Sequence, residues 1–388
     1  MPHPRLDRAL FHLERLIAFD TVSSRSNLAL IAYLEEVLAA AGFACSRVPD
    51  GQEDKAGLLA FLGPRERPGL VLSGHTDVVP VAGQNWSSDP FRAVVREGAV
   101  HGRGTADMKG FLACMLAIAE EVTARELPQP LLLAFSWDEE VGCRGVPRLL
   151  KALLAHAPRP LGCLVGEPTG MRVGDAHKGK IGLRCTVTGR DAHSGLPQLG
   201  ANAIFAAAEL VAWLAREAER LAVRGPREEG FDPPYTTVNV GTIAGGSELN
   251  IVPARCSFVC EFRTLPGEDP ETHAARLEEQ ARDGVLPRLR ARAPEAAITF
   301  ERLLAYPGLR ADLDGGFARA CLELAVADTP IKLSFGTEAG HFARAGIPAL
   351  VCGPGDIAVA HKPDEHLSLE QLELCLDFLE RLVRRDLR

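Results

Sequence analysis

The chain has 388 residues, 46% of them hydrophobic and 24% charged, with a formal net charge of −8. That length exceeds a comfortable single core and predicts two domains, and the composition is globular rather than disordered or fibrous. The acidic balance argues against a nucleic-acid-binding protein, whose footprint is basic, and no apolar run is long enough to span a bilayer.

At the N-terminus Leu6, Leu10, Leu13 and Ile17 recur at helical spacing with charges between them. The segment lacks the uninterrupted apolar stretch of a signal peptide, so a cytoplasmic protein is expected. The first half then alternates. Residues 55–63 (KAGLLAFLG) and 69–74 (GLVLSG) read as strands, 108–127 as a helix, 130–137 as a buried strand, 145–157 as a helix and 160–166 as a strand. This order predicts a largely parallel sheet covered by helices.

From about Lys180 the pattern changes. Residues 180–190 alternate as a half-exposed strand and 201–222 form a long amphipathic helix. Strands at 236–246 and 254–265, a helix at 270–282 and a strand at 296–304 follow, the order of a compact α+β sandwich whose second strand pair is a hairpin or meander. After about Leu304 the first pattern resumes, with helices at 315–327 and 368–385 around a strand at 347–355. The economical reading is one α/β domain (1–179 and 304–388) interrupted by an inserted α+β domain (180–303). The ten cysteines are scattered through apolar segments without a CxxC pair. They read as small buried hydrophobes in a reducing compartment, not as a zinc cluster or redox pair.

In open α/β sheets functional groups gather at the carboxyl ends of strands. His75 follows VLSG, Glu139 and Glu140 follow LLLAFSWD, Glu167 follows LGCLVG, and His361 follows ALVCGPGDIAVA; Asp107 lies in a glycine-rich loop leading into a helix. Taken singly, each has an ordinary structural reading: a helix N-cap for Asp107, a solvated turn for Glu139 and Glu140, a surface loop for His361. Their shared placement at one end of one sheet favours a joint site. Two histidines and three carboxylates suit two metals, with one carboxylate bridging and each metal taking one histidine and one further carboxylate. Imidazole with carboxylate favours zinc or cobalt over magnesium or calcium, and such a pair acidifies a shared water to about pH 7 and polarises a carbonyl. Asp77, two residues after His75, is placed to accept the other imidazole N–H. One carboxylate of the 139–140 pair stays free as general base.

The motifs SGHTDVVP (73–80), GRGTADMKG (102–110), WDEEVG (137–142), VGEPT (165–169), GRDAHSG (189–195) and AHKPDEH (360–366) occur in this order. Over essentially its full length the chain resembles the M20 family of metallo-aminoacylases and peptidases. The resemblance implies a zinc-peptidase-like mixed sheet covered by helices, with an inserted ferredoxin-like dimerisation domain. It implies that His75 and Glu167 ligate one metal, Glu140 and His361 the other, and that Asp107 bridges. Asp77 then orients His75, and Glu139 activates the water. Two Zn2+ per subunit are implied, with Co2+ able to substitute, as is a homodimer in which His193 reaches the other subunit's active site and stabilises the oxyanion. From composition alone His193 is equally a strand-end histidine in a turn. Asn250 in ELNIVPAR and Arg263 in CEFRTLP match positions that bind substrate in relatives, and an Arg fork suits an amino-acid carboxylate. Either reads as well as a structural strand residue.

Within the family, GTEAG (336–340), CGPGD (352–356) and AHKPDEH resemble the acetylornithine deacetylase branch rather than the succinyl-diaminopimelate desuccinylase branch. This implies hydrolysis of N2-acetyl-L-ornithine to L-ornithine and acetate, gated by closure of the smaller domain. The alternatives are another N-acyl-amino-acid deacylase or dipeptidase with the same centre, and a non-catalytic metal- or amino-acid-binding protein; the free Glu139 counts against the latter. A serine hydrolase is disfavoured because no G-x-S-x-G elbow occurs, and GTADMKG is no P-loop. Glu338, just before a helix, either attracts a substrate ammonium or sits where the helix dipole favours it; the second reading is preferred.

Overall fold

Strands buried on both faces need continuous apolar runs, and this chain supplies several in its first half. The computed structural model describes residues 4–387. They form two compact units: one from the chain up to Ala176 with Leu309–Leu333 and Thr337 onward, the other His177–Gly308 with Ser334–Gly336. The first unit opens with helices α1 (Pro4–Ile17) and α2 (Leu28–Ala40), then strands β1 (Ala44–Pro49), β2 (Ala56–Leu62), β3 (Leu70–His75), β4 (Val94–Arg96) and β5 (Ala99–His101). A π-helical turn, Thr105–Lys109, leads into α3 (Gly110–Ala119), followed by β6 (Leu131–Ser136), α4 (Val146–His156), β7 (Gly162–Pro168) and β8 (Gly174–His177).

The second unit contains β9 (Gly179–Thr188), α5 (Ala203–Arg224), β10 (Thr237–Gly245), β11 (Arg255–Thr264), α6 (Pro270–Glu279), α7 (Leu286–Arg290) and β12 (Ala297–Tyr306). The first unit resumes with β13 (Leu309–Arg310), α8 (Gly316–Leu324), β14 (Ile331–Leu333), α9 (Ala339–Arg344), β15 (Ala349–Gly353), β16 (His366–Ser368) and α10 (Leu369–Val383).

The main sheet runs β1-β2-β6-β3-β7-β15-β8-β13, with β14 beside β8. Its centre is parallel, β3 lying between β6 and β7 and β15 alongside β7. The β1–β2, β2–β6 and β15–β8 pairs are antiparallel, so the sheet is mixed. Strands β2, β3, β6 and β7 are buried along their whole length. Helix α3 is buried at every position, which is why its sequence is apolar all round rather than along one stripe. The helix predicted over 108–127 stops at Ala119. Glu120 and Glu121 there pair with Arg8 and Arg5 of α1, and Thr123 turns the chain by donating to Glu126.

Parallel centre strands put four carboxyl ends on one edge. His75 closes β3, Glu167 lies at the end of β7, Glu139 and Glu140 follow β6, and the loop carrying His361 follows β15. The cysteines are free, and all but the partly buried Cys45 are buried. No helix among the described residues is long and apolar enough to cross a membrane.

The second unit is a β-α-β-β-α-β arrangement with strand order β10-β11-β9-β12, antiparallel throughout, the ferredoxin-like topology. Strand β11 alternates buried and less buried residues along its length. Its Cys256, Phe258, Cys260 and Phe262 join Ile181, Leu183 and Val187 of β9 in a core closed by Leu210 and Leu214 of α5.

Candidate metal centre

His75 is fully buried at the end of β3. Its Nδ1 lies 2.8 Å from the main-chain carbonyl of Asp77. A carbonyl only accepts, so Nδ1 carries a proton, and Nε2 is the ring atom turned toward the carboxylates and available to a metal. That Nε2 sits 3.0 Å from Asp107 Oδ1 and 3.8 Å from Glu167 Oε1. The expected contact between Asp77 and His75 is thus made by the backbone, because the tight turn after β3 brings that carbonyl to the ring. The Asp77 carboxylate is 3.6 Å from Nδ1. It accepts instead from the N–H groups of Glu139 (3.1 Å) and Glu140 (3.4 Å) and from the Ser23 hydroxyl (2.7 Å). Asp77 therefore fixes the loop that carries the two glutamates.

Asp107 lies in the turn between β5 and α3 and splits its carboxylate between the two histidines. Oδ1 faces His75, and Oδ2 is 3.1 Å from His361 Nε2. The same His361 Nε2 is 3.1 Å from Glu140 Oε2. His361 itself is half exposed on a loop and has φ +63°, a left-handed conformation that side chains other than glycine rarely adopt. Glu139 groups with His75 and Glu167, with potential ligand atoms within 4.8 Å of one another, and Asp107, Glu140 and His75 form a second such group. Glu139 Oε1 also accepts from the Cys143 thiol at 3.3 Å. Burial, with the nearby Glu139, pushes that thiol well above the usual range, so it stays a donor.

Burial drives the acids of this cluster up. Glu139 is raised to about 8 and Glu140 to about 7, burial being the main cause and the neighbouring carboxylates adding to it. Burial, reinforced by Asp107, also raises Glu167 well above the carboxylate range. Burial would raise Asp107 too, but hydrogen bonds from His361 and His75 outweigh it and hold that group below its usual value. Hydrogen bonds to Asp107 and Glu140 raise His361 to about 10. Burial pulls His75 down, yet the Asp107 hydrogen bond and the charges of Glu167, Asp107 and Asp77 reverse this and hold it well above a normal histidine.

So many acids packed out of water around two imidazoles leave charge for a cation to balance. One atom says so directly: Glu140 Oε1 is buried with no hydrogen-bond partner. The donor set, imidazole nitrogen and carboxylate oxygen, matches zinc and its neighbours. These residues fit a pair of divalent cations, with His75 and Glu167 on one side of Asp107 and Glu140 and His361 on the other.

Glu338 stands at the start of α9, as the preferred sequence reading has it, but its side chain makes no capping hydrogen bond. Its carboxylate is fully buried beneath the site and accepts from Ser73 of β3 and from Ser136, the latter at 2.6 Å. What the sequence does not indicate is that two serine hydroxyls, not the helix end, hold this carboxylate. Ser23, Ser73 and Ser136 escaped the sequence reading because their partners are distant in the chain, and Cys143, four residues from Glu139, because it reads as one more buried apolar cysteine. His193, Asn250 and Arg263 belong to the second unit. His193 is exposed, accepts at Nδ1 from the Gly195 N–H (3.0 Å), and pairs through its backbone with Ile251, beside Asn250. The Ser194 N–H donates to the Asn250 carbonyl at 2.9 Å, so the two loops travel together. Arg263 is the penultimate residue of β11, its Nε 3.0 Å from Glu261.

A family model described as peptidase family M20/M25/M40 matches residues 71–385. An acetylornithine deacetylase of Myxococcus xanthus is 38% identical over 379 residues, covering 96% of this chain and 95% of that protein. The fold matches an M20 family metallo-carboxypeptidase from Sulfolobus solfataricus with TM-score 0.77 at 18% identity, covering 97% of this chain and 99% of that one. It also matches a dinuclear metal-binding M20 peptidase from Bacillus subtilis with TM-score 0.70 at 15% identity, covering 99% and 98% of the two chains. The chain therefore belongs to peptidase family M20/M25/M40 and is a metal-dependent amide hydrolase.

Proposed function

We propose that this protein hydrolyses N2-acetyl-L-ornithine to L-ornithine and acetate, acting in the cytoplasm as an acetylornithine deacetylase of arginine biosynthesis. The chemistry rests on one observation above all: Asp107 offers one oxygen toward each of two histidines, and each histidine has its own further carboxylate. The substrate rests on the Myxococcus xanthus relative, which carries that name at 38% identity across nearly the whole chain.

We assign two Zn2+, replaceable by Co2+, to this cluster, with His75 and Glu167 holding one, Glu140 and His361 the other, and Asp107 bridging. When bound they supply Lewis acidity toward the amide carbonyl and acidify a water toward neutral pH. Glu139, anchored through its N–H to Asp77 and through Oε1 to Cys143, takes the proton of the attacking water. It then delivers that proton to the leaving nitrogen, which departs as an amine rather than an amide anion. His193 donates to the tetrahedral oxyanion, and Asn250 and Arg263 bind the substrate, Arg263 through its α-carboxylate.

We infer that the second unit is also the dimerisation and lid domain, and that the protein is a homodimer. Strand β10 is an open edge whose residues 241–245 are all exposed, with Ile243 51% and the nearby Leu249 99% accessible. Such an edge invites pairing, and a second copy supplies it. The substrate assignment is tested by kcat/KM over N-acetyl, N-succinyl and N-formyl amino acids and dipeptides. N2-acetyl-L-ornithine is expected to rank first; a succinylated substrate or a dipeptide ranking first overturns it.

A further inference from the structure

The ligands assigned to the two cations are held in different ways. His75 and Glu167 are residues of β3 and β7, fixed by a buried sheet. Asp107 and His361 are not: one sits in a turn, the other half exposed on a loop in a left-handed conformation. Something outside the sheet has to set the distance between them.

A polar chain runs from one to the other. The carboxylate of Glu365, fully buried, accepts the N–H groups of Ala106 (2.9 Å) and Asp107 (3.1 Å) through Oε1. Its Oε2 takes Arg103 Nη1 at 2.6 Å, an ion pair from which water is excluded. The other arm of the Arg103 fork donates from Nη2 to Gln84 Oε1 at 2.6 Å, and its guanidinium lies over the Trp86 ring at 5.0 Å. Gln84 then donates from Nε2 to the main-chain carbonyl of His361 at 2.8 Å. A second clip parallels the first, since the Ser87 N–H and hydroxyl both donate to Asp364 Oδ1, at 2.9 and 2.7 Å.

We propose that Gln84, Arg103 and Glu365 form a positioning bracket that sets the His361 imidazole opposite Asp107 and so builds the second cation site. This rests on the two-cation reading above. Gln84 is the informative member because it uses both ends of one planar amide. Its oxygen is oriented by Arg103, and that fixes where its N–H points. The bracket touches neither His75 nor Glu167. Glu365 also holds the Asp107 main chain, which both sites share, but Gln84 touches none of Asp107, His75 and Glu167, so its loss is felt on the His361 side.

The test is stepwise Co2+ binding to chelated protein, followed by calorimetry and by the visible absorption of the bound ion. Wild type is expected to take two equivalents, and His361→Ala identifies the one that belongs to the His361 side by removing it. Gln84→Ala is expected to weaken that equivalent at least tenfold, with an altered spectrum, while the other binds within twofold of wild type. Gln84→Glu keeps an acceptor for Arg103 but has no N–H for the His361 carbonyl, and is expected to weaken the same equivalent. The bracket is overturned if either Gln84 variant binds both ions as wild type does, or if both ions weaken together, which is general loosening. A wild-type protein taking fewer than two equivalents overturns the two-cation reading itself, and the bracket with it.

Discussion

Glu139 and Glu140 are adjacent in the chain but end in different surroundings. Glu140 Oε2 meets His361, whereas Glu139 accepts from the Cys143 thiol and groups with His75 and Glu167. Glu139→Gln keeps the shape and the Cys143 contact but has no basic oxygen to take a proton. It is expected to bind metal as wild type does and to lose about 10²–10⁴ in kcat; wild-type-like turnover contradicts the base assignment. Asp77→Asn leaves the His75 tautomer in place, because the main-chain carbonyl sets it, yet weakens the hold on the 139–140 loop. The expected loss is about 10–100-fold in kcat, with the His75-side ion bound normally in a Co2+ titration. His193→Ala is expected to fold and dimerise but to lose about 10²–10³ in kcat, the cost of one oxyanion donor; unchanged turnover reduces it to a turn residue.

At the level of elements, glycine positions record close approaches that a substitution exposes. A Cβ on Gly162 of β7 meets the Phe317 ring of α8 at 2.2 Å. Gly162→Ala is expected to cost about 1–3 kcal/mol by overpacking, read from urea unfolding, with metal stoichiometry unchanged. Strand and helix signals were legible wherever an element buries a long apolar run: β2, β3, β6, β7 and α10 lie close to where periodicity places them. The short strands β4, β5, β13, β14 and β16 were not, since two or three residues carry no period. His75, Asp107, Glu140, Glu167 and His361 stood out because they follow strands or a glycine-rich loop. Glu365 lies in the same AHKPDEH stretch but escaped, because what it satisfies is main-chain N–H groups far upstream. The Asp77 carboxylate was legible as useful and misdirected in detail, since no spacing rule tells a carboxylate from the carbonyl of its own residue.

For the whole molecule the cluster links stability, pH and metal. A carboxyl raised in the fold binds its proton more tightly folded than unfolded. The stability from Glu139 and Glu140 is therefore full below about 4.5 and is lost as pH climbs through about 7 and 8. His361, raised to about 10, acts in the same direction, its contribution complete below 6.5 and lost as pH rises through about 10. Asp107 acts oppositely and loses its contribution at pH below its normal 3.8. Metal-free protein is thus expected to be most stable in mild acid, its Tm falling from pH 6.5 to 9, and bound metal to remove much of that fall. A Tm of metal-free protein that rises over this range contradicts the account. The most direct measurement of the central claim is turnover of N2-acetyl-L-ornithine by chelated protein during titration with Zn2+ or Co2+. No hydrolysis before addition and recovery on reconstitution, complete by two equivalents per chain, is the expected result; hydrolysis that persists in the chelator contradicts it.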